Sequence, residues 1–111
     1  MKYNLFLTLY KEALEYSDID MYITERGWQD WMDNYPNKDL GTLLASIYNL
    51  AHKPLKAIRQ ERNISRAQFS RMYSIPIRTI ENWDGGKTTL NEYLKCLLCY
   101  TLFIEDLTCN E

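Results

Sequence analysis

Residues 64 to 87 read Ile64-Ser65-Arg66-Ala67-Gln68-Phe69-Ser70-Arg71-Met72-Tyr73-Ser74-Ile75-Pro76-Ile77-Arg78-Thr79-Ile80-Glu81-Asn82-Trp83-Asp84-Gly85-Gly86-Lys87. Ser65 and Gln68 have the spacing of a capping box, in which the hydroxyl accepts from one orphan amide and the amide side chain reaches back to another. That spacing predicts a helix from about Arg66 to Tyr73. Ser74-Ile75 then makes a tight connection. Pro76 has a preset φ and no amide to lose, so it can open a second short helix through Trp83, which Gly85-Gly86 ends.

Outward from this stretch the pattern stays helical. Pro54 starts a helix carrying Leu55, Ile58 and Arg62, stopped by Asn63. Downstream, Asn91 can cap a long helix to about Leu107. Its Tyr93, Leu94, Leu97, Leu98, Leu102, Phe103 and Ile104 make it apolar nearly all round, the pattern of a helix buried in a core or in a partner. Upstream, Tyr3, Phe6, Leu7, Tyr10, Ala13 and Leu14 recur at helical spacing over residues 3 to 16. Residues 18 to 23 alternate weakly and admit either a strand or a helix. Thr24 is a candidate N-cap for a short helix through Trp28, Trp31 and Met32, ending before the loop Asn34-Tyr35-Pro36-Asn37. Asp39 is a candidate cap for a further helix with one stripe of Leu40, Leu43, Leu44, Ile47, Tyr48 and Ala51. Composition agrees: fifteen Leu and nine Ile stand beside no Val, with four Gly and three Pro, which starves strands and their turns. The expected fold class is all-α.

Two short helices joined by three or four residues, the second opening with small, polar and basic side chains, make a helix-turn-helix arrangement. From roughly Lys53 to Tyr100 the chain resembles the phage repressor and Cro-like (Xre) helix-turn-helix family. The resemblance implies a lambda-repressor-like helical bundle, here with additional N-terminal helices. Ala67 is expected to be small where the two helices cross, with Phe69, Tyr73, Ile75, Ile80 and Trp83 filling the shared core. By the resemblance, Ile77, Arg78 and Asn82 occupy positions that read base edges: Arg78 suits guanine, Asn82 adenine and Ile77 a thymine methyl. Arg66, Thr79 and Lys87 are then DNA-backbone contacts. Arg59 and Asp84 match an Arg and an acid that pair in many members, an orienting ion pair. Two positions depart from the family pattern. Ser74 stands where a glycine is usual, and Pro76 with Ile77 makes the leading end of the recognition helix less polar.

The formal charge of −2 conceals a division. From Lys53 to Lys95 nine cations face four acids, a net of +5. Residues 1 to 52 carry four cations and eight acids, and the segment from Cys96 carries only Glu105, Asp106 and Glu111. A basic block with acidic flanks suits a polyanionic partner. The organisation expected is an acidic, aromatic-rich N-terminal extension over 1–52 for dimerisation or partner contact, a helix-turn-helix domain with its long apolar helix over 53–107, and a tail over 108–111.

Other function classes find little footing. The uncharged apolar stretches, Leu40 to Ala51 and Cys96 to Ile104, fall well short of the roughly 18 residues of a membrane span. Cys96, Cys99 and Cys109 are odd in number and crowded together, which describes no disulfide framework and suits a reducing cytoplasm. With only His52 as a further soft ligand they make no zinc site, so no metal or cofactor is expected and the thiols read as buried apolar groups. His52 reads as a surface or capping residue. Asp30 and Asp33 read as a solvated face, and Trp28 with Trp31 as core or dimer packing before a stacking surface. No catalytic residues emerge, and no enzyme is expected.

The function expected is a cytoplasmic, sequence-specific regulator of transcription, a repressor, binding double-stranded DNA as a homodimer. The alternative is a protein-interaction module of a phage or mobile element, antitoxin-like or inhibiting a host defence. It would use the acidic N-terminal face formed by Glu12, Glu15, Asp18, Asp20, Glu25, Asp30, Asp33 and Asp39.

Overall fold

The structure is a computed structural model in which residues 1 to 108 are described; of the expected tail, Thr108 belongs to the last helix and residues 109 to 111 lie outside the described residues. Among the described residues every regular element is helical: α1 (Tyr3–Leu14), α2 (Ile19–Thr24), a 3-10 turn (Asp30–Asn34), α3 (Asn37–His52), α4 (Leu55–Glu61), α5 (Arg66–Tyr73), α6 (Ile77–Asp84) and α7 (Glu92–Thr108). The chain is all-α, and none of these helices is long and apolar enough to cross a membrane.

The helices gather into two compact units. One holds Met1–His52 together with the chain from Cys96 onward, and the other holds Lys53–Lys95. Helix α7 is therefore divided, its first turn in the second unit and the remainder in the first. The region expected over 53–107 is thus a compact unit only as far as Lys95. Packing puts the helix beyond Lys95 with the first unit, because its apolar face meets α1 there: the rings of Phe6 and Phe103 lie 5.3 Å apart.

In the first unit α1 packs on α3. Phe6, Leu9, Tyr10 and Ala13 of α1, the α3 stripe of Leu40, Leu43, Leu44, Ile47, Tyr48 and Ala51, and Cys96, Leu98, Cys99, Leu102 and Phe103 of α7 are all buried. The two thiols are thus small core groups. Tyr22 of α2 is fully buried, and its hydroxyl donates to the Leu9 carbonyl at 2.8 Å. Arg26 covers the Tyr22 ring at 4.4 Å and reaches Glu12 at 2.9 Å, which ties the end of α2 to α1.

One open N-terminal reading is settled and two expected caps are corrected. Segment 18–23 is helical because Asp18 caps it, its carboxylate accepting from the amides of Asp20 at 2.8 Å and Met21 at 3.4 Å. Thr24 ends that helix instead of capping the next: its hydroxyl donates back to the Asp20 carbonyl at 2.7 Å. Gly27 then takes φ 68°, and Trp31 and Met32 lie in the 3-10 turn. Asp39 is not a cap, since α3 already begins at Asn37; it sits in the first turn, where its charge suits the positive end of the helix dipole.

In the second unit Pro54 stands at the N-cap of α4, one residue before the helix proper. Asn63 takes φ 57° between α4 and α5, a left-handed conformation that Asn tolerates better than most residues. Leu55, Ile58, Phe69 and Ile80 form the buried apolar centre. The capping box is present in full, Ser65 Oγ accepting from the Gln68 amide at 3.1 Å and Gln68 Oε1 from the Ser65 amide at 3.3 Å. This unit, Lys53–Lys95, has the same bounds as the +5 block of the sequence.

Candidate nucleic-acid interface

Helix α6 owes its two faces to its periodicity. At 3.6 residues per turn Ile77, Arg78, Glu81 and Asn82 share one side, and Thr79, Ile80, Trp83 and Asp84 share the other. Burial follows this division. Ile80 is fully buried and the Asp84 side chain is 2% exposed, whereas Ile77 is 45% exposed and Arg78 and Glu81 face solvent. The three residues expected to read bases are thus brought onto one face, with Asn82 half-buried at its edge. Thr79 is half-buried on the opposite side, apart from the other expected backbone contacts, while Lys87 is exposed just beyond the helix.

The turn that presents α6 is built from small groups. Ser74 adopts φ 54°, the left-handed conformation for which glycine is better suited. Ser70 closes the turn twice: its hydroxyl donates to the Ile75 carbonyl at 2.6 Å and its carbonyl accepts from the Ile75 amide at 3.2 Å. Ala67, expected at the helix crossing, is exposed, and the small half-buried residue of α5 is Ser70. The helical phase explains the shift, since Phe69, Ser70 and Tyr73 share one side of α5 and Ala67 does not. Phe69 is buried and its ring lies 4.7 Å from that of Tyr73, while Tyr73, Ile75 and Trp83 are half-buried.

Asp84 pins the arrangement from below. Its carboxylate accepts from the buried Arg59 guanidinium and, at 2.8 Å, from Arg66 Nε. Arg59 also donates to the Ile64 carbonyl at 3.3 Å, and its Nε is buried without a partner. Two cations on one acid leave the cluster with a net positive charge. The hydrogen bond that Arg66 donates to Asp84 raises the pKa of its guanidinium, so this residue stays charged at any accessible pH. The Arg66 side chain remains 44% exposed, with only Nε engaged among the described contacts.

Further cations widen the charged surface of this unit. Lys56, Arg71, Arg78 and Lys87 are exposed and make no ion pair among the described residues, whereas Lys53 is held by Glu61 at 2.6 Å. Lys56 and Arg71 were not among the expected contacts; their only sequence signal is the charge of the block. Cations outnumber the exposed acids Glu61, Glu81 and Glu92 on this unit, which suits phosphate more than a neutral partner. Among the described residues no group of three His, Cys, Asp or Glu could hold a metal ion. His52 lies in the first unit, stacked 4.1 Å from Tyr48 and 2.7 Å from the Ala13 carbonyl, so that Nε2 is the donor. Comparison of the chain with protein-family models, curated proteins and solved structures found no match.

Proposed function

We propose that the second unit is a helix-turn-helix of the lambda-repressor-like kind, with α6 as recognition helix, in a sequence-specific DNA-binding regulator that acts as a repressor. The observation that carries this reading is the coincidence of the +5 block with a separate compact unit whose exposed helix face presents Ile77, Arg78 and Asn82. Arg78 and Asn82 have the donor and acceptor geometry for guanine and adenine edges, and Ile77 offers an apolar surface to a thymine methyl. Arg66, Lys87, Lys56 and Arg71 supply phosphate contacts. The protein binds as a homodimer in the cytoplasm, because one such motif spans too few base pairs for useful specificity and paired half-sites restore it.

A protein-interaction role is the second reading. It is favoured by the exposure of Glu15, Asp18, Asp20, Glu25, Asp30, Asp33 and Asp39 on the first unit. Selection of duplexes from a random pool at near-physiological salt separates the two. Enrichment of an inverted repeat that disappears with Arg78→Ala and Asn82→Ala supports the regulator. Failure of any duplex to bind refutes it and leaves the acidic face as the place to seek a protein partner.

A further inference from the structure

The first unit contains a cleft of about 520 Å³, a volume within the usual range for small-molecule sites. Three separate segments wall it: Lys2 and Leu5 at the start of α1, Trp31, Asn34 and Tyr35 from the 3-10 turn and its end, and Tyr100 from α7. Two of the three aromatic walls have their polar edges occupied. Trp31 Nε1 donates to Gln29 at 2.7 Å, and the Tyr100 hydroxyl donates to the Met1 carbonyl at 2.5 Å. Trp31 and Tyr35 meet edge to face at 5.9 Å, and Tyr100 is fixed against Phe6 at 5.2 Å. The cleft therefore offers ring surface with little rearrangement to undergo.

Two polar groups at the cleft are not used by the fold. The Lys2 ammonium makes no ion pair and the Asn34 amide no hydrogen bond among the described residues; both residues are exposed. Lys2 is one of only four cations between residues 1 and 52, against eight acids. In a unit where acids outnumber cations, Lys2 places a positive charge beside an aromatic floor, the pairing that an anionic ring compound would use. We propose that the cleft binds a small planar aromatic carboxylate, its ring lying against Trp31, Tyr35 and Tyr100 and its carboxylate meeting the Lys2 ammonium and the Asn34 amide. The site is independent of the DNA-binding reading, since none of its residues lies in the second unit.

Calorimetric titration of the full chain with 2-naphthoate tests the site, with 2-naphthalenemethanol as the neutral probe of the same ring. Saturable 1:1 binding of the carboxylate is expected, with the alcohol about tenfold weaker. Lys2→Gln should weaken the carboxylate by a similar factor while leaving the alcohol unchanged, and Asn34→Ala should weaken it less. Both substitutions are at exposed side chains, and unchanged far-ultraviolet circular dichroism confirms that the fold survives. Absence of saturable heat at millimolar ligand overturns the proposal, as does equal binding of the two probes or indifference of the carboxylate to Lys2→Gln.

Discussion

Asp84 takes its hydrogen bond from Arg59 in the interior of the second unit, where the acid's side chain is 2% exposed and the arginine's 5%. Neither charge has water to fall back on. Removing one partner leaves the other desolvated, and in such pairs that costs about 3 to 5 kcal/mol. Asp84→Ala should therefore lower stability by about that amount in urea titration, a large fraction of what a domain of this size possesses. The double variant Arg59→Met with Asp84→Leu should recover most of the loss, because the burial penalty leaves with the charges. Arg66→Ala should cost far less, its side chain being 44% exposed.

The left-handed residues give opposite expectations at two positions. Ser74 at φ 54° carries the Cβ penalty of that conformation, about 1 to 2 kcal/mol, and its replacement by Gly relieves strain while adding chain entropy to the unfolded state. Ser74→Gly should stabilise by less than about 1 kcal/mol on balance. Asn63→Ala, at φ 57°, should instead destabilise by about 1 kcal/mol, because Ala tolerates the left-handed region less well than Asn. Thermal unfolding of the two variants checks both signs; a lowered midpoint for Ser74→Gly contradicts the first.

Alkaline stability should depend on two phenols of the first unit. Burial pushes the Tyr22 pKa well above the ordinary tyrosine value, with Arg26 partly opposing; burial and then a hydrogen bond with Cys96 push Tyr3 up to about 12. In the unfolded chain both ionise near pH 10. Below that value both states hold their protons and the phenols do not affect the balance. As pH rises from about 10 toward 12 the unfolded state releases protons that the folded state retains, so stability falls. Denaturant titrations at pH 8 to 11.5 should show this slope, and it should flatten in Tyr22→Phe even though that variant is weaker at neutral pH through loss of the bond to Leu9.

Glu81 shares the exposed side of α6 with Arg78 and faces the same phosphates in the proposed DNA complex. Glu81→Gln should raise affinity for every duplex by a few-fold at low salt, an effect that shrinks as salt increases. Lys87→Ala should lower it across sequences and reduce the salt slope by about one. Fluorescence anisotropy across a salt series measures both, and an unchanged affinity in Glu81→Gln would remove α6 from the interface.

Local signals carried much of the fold in the amino-acid sequence. The Ser65 and Gln68 box, the stop at Asn63, the start at Pro76 and the apolar stripe of α3 each depend on a few neighbouring residues, and each is found where its spacing placed it. The failures are of two kinds. Asp18 and Thr24 are both competent caps six residues apart; in the fold Asp18 caps, Thr24 bonds back to Asp20, and Tyr22 of the helix between them is buried. Ala67 and Ser70 are both small, and the phase of α5 against Phe69 decides between them. The Arg59–Asp84 pair, 25 residues apart, is legible only through the family resemblance, and the second arginine on Asp84, 18 residues from it, left no local trace. The aromatic cleft joins residues from both ends of the chain and from its first third.

The division of α7 orders events during synthesis. The ribosome completes Lys53–Lys95 before it has made Cys99, Leu102 and Phe103, which the first unit needs to close its core around Phe6 and Leu50. The unit begun first is thus finished last. Until then its apolar faces on α1 and α3 wait uncovered on the nascent chain, and an N-terminal fragment ending near His52 would carry that exposure permanently. Expression of residues 1 to 52 alone should therefore yield an aggregating product, whereas the same segment is sealed once the last seventeen-residue helix emerges.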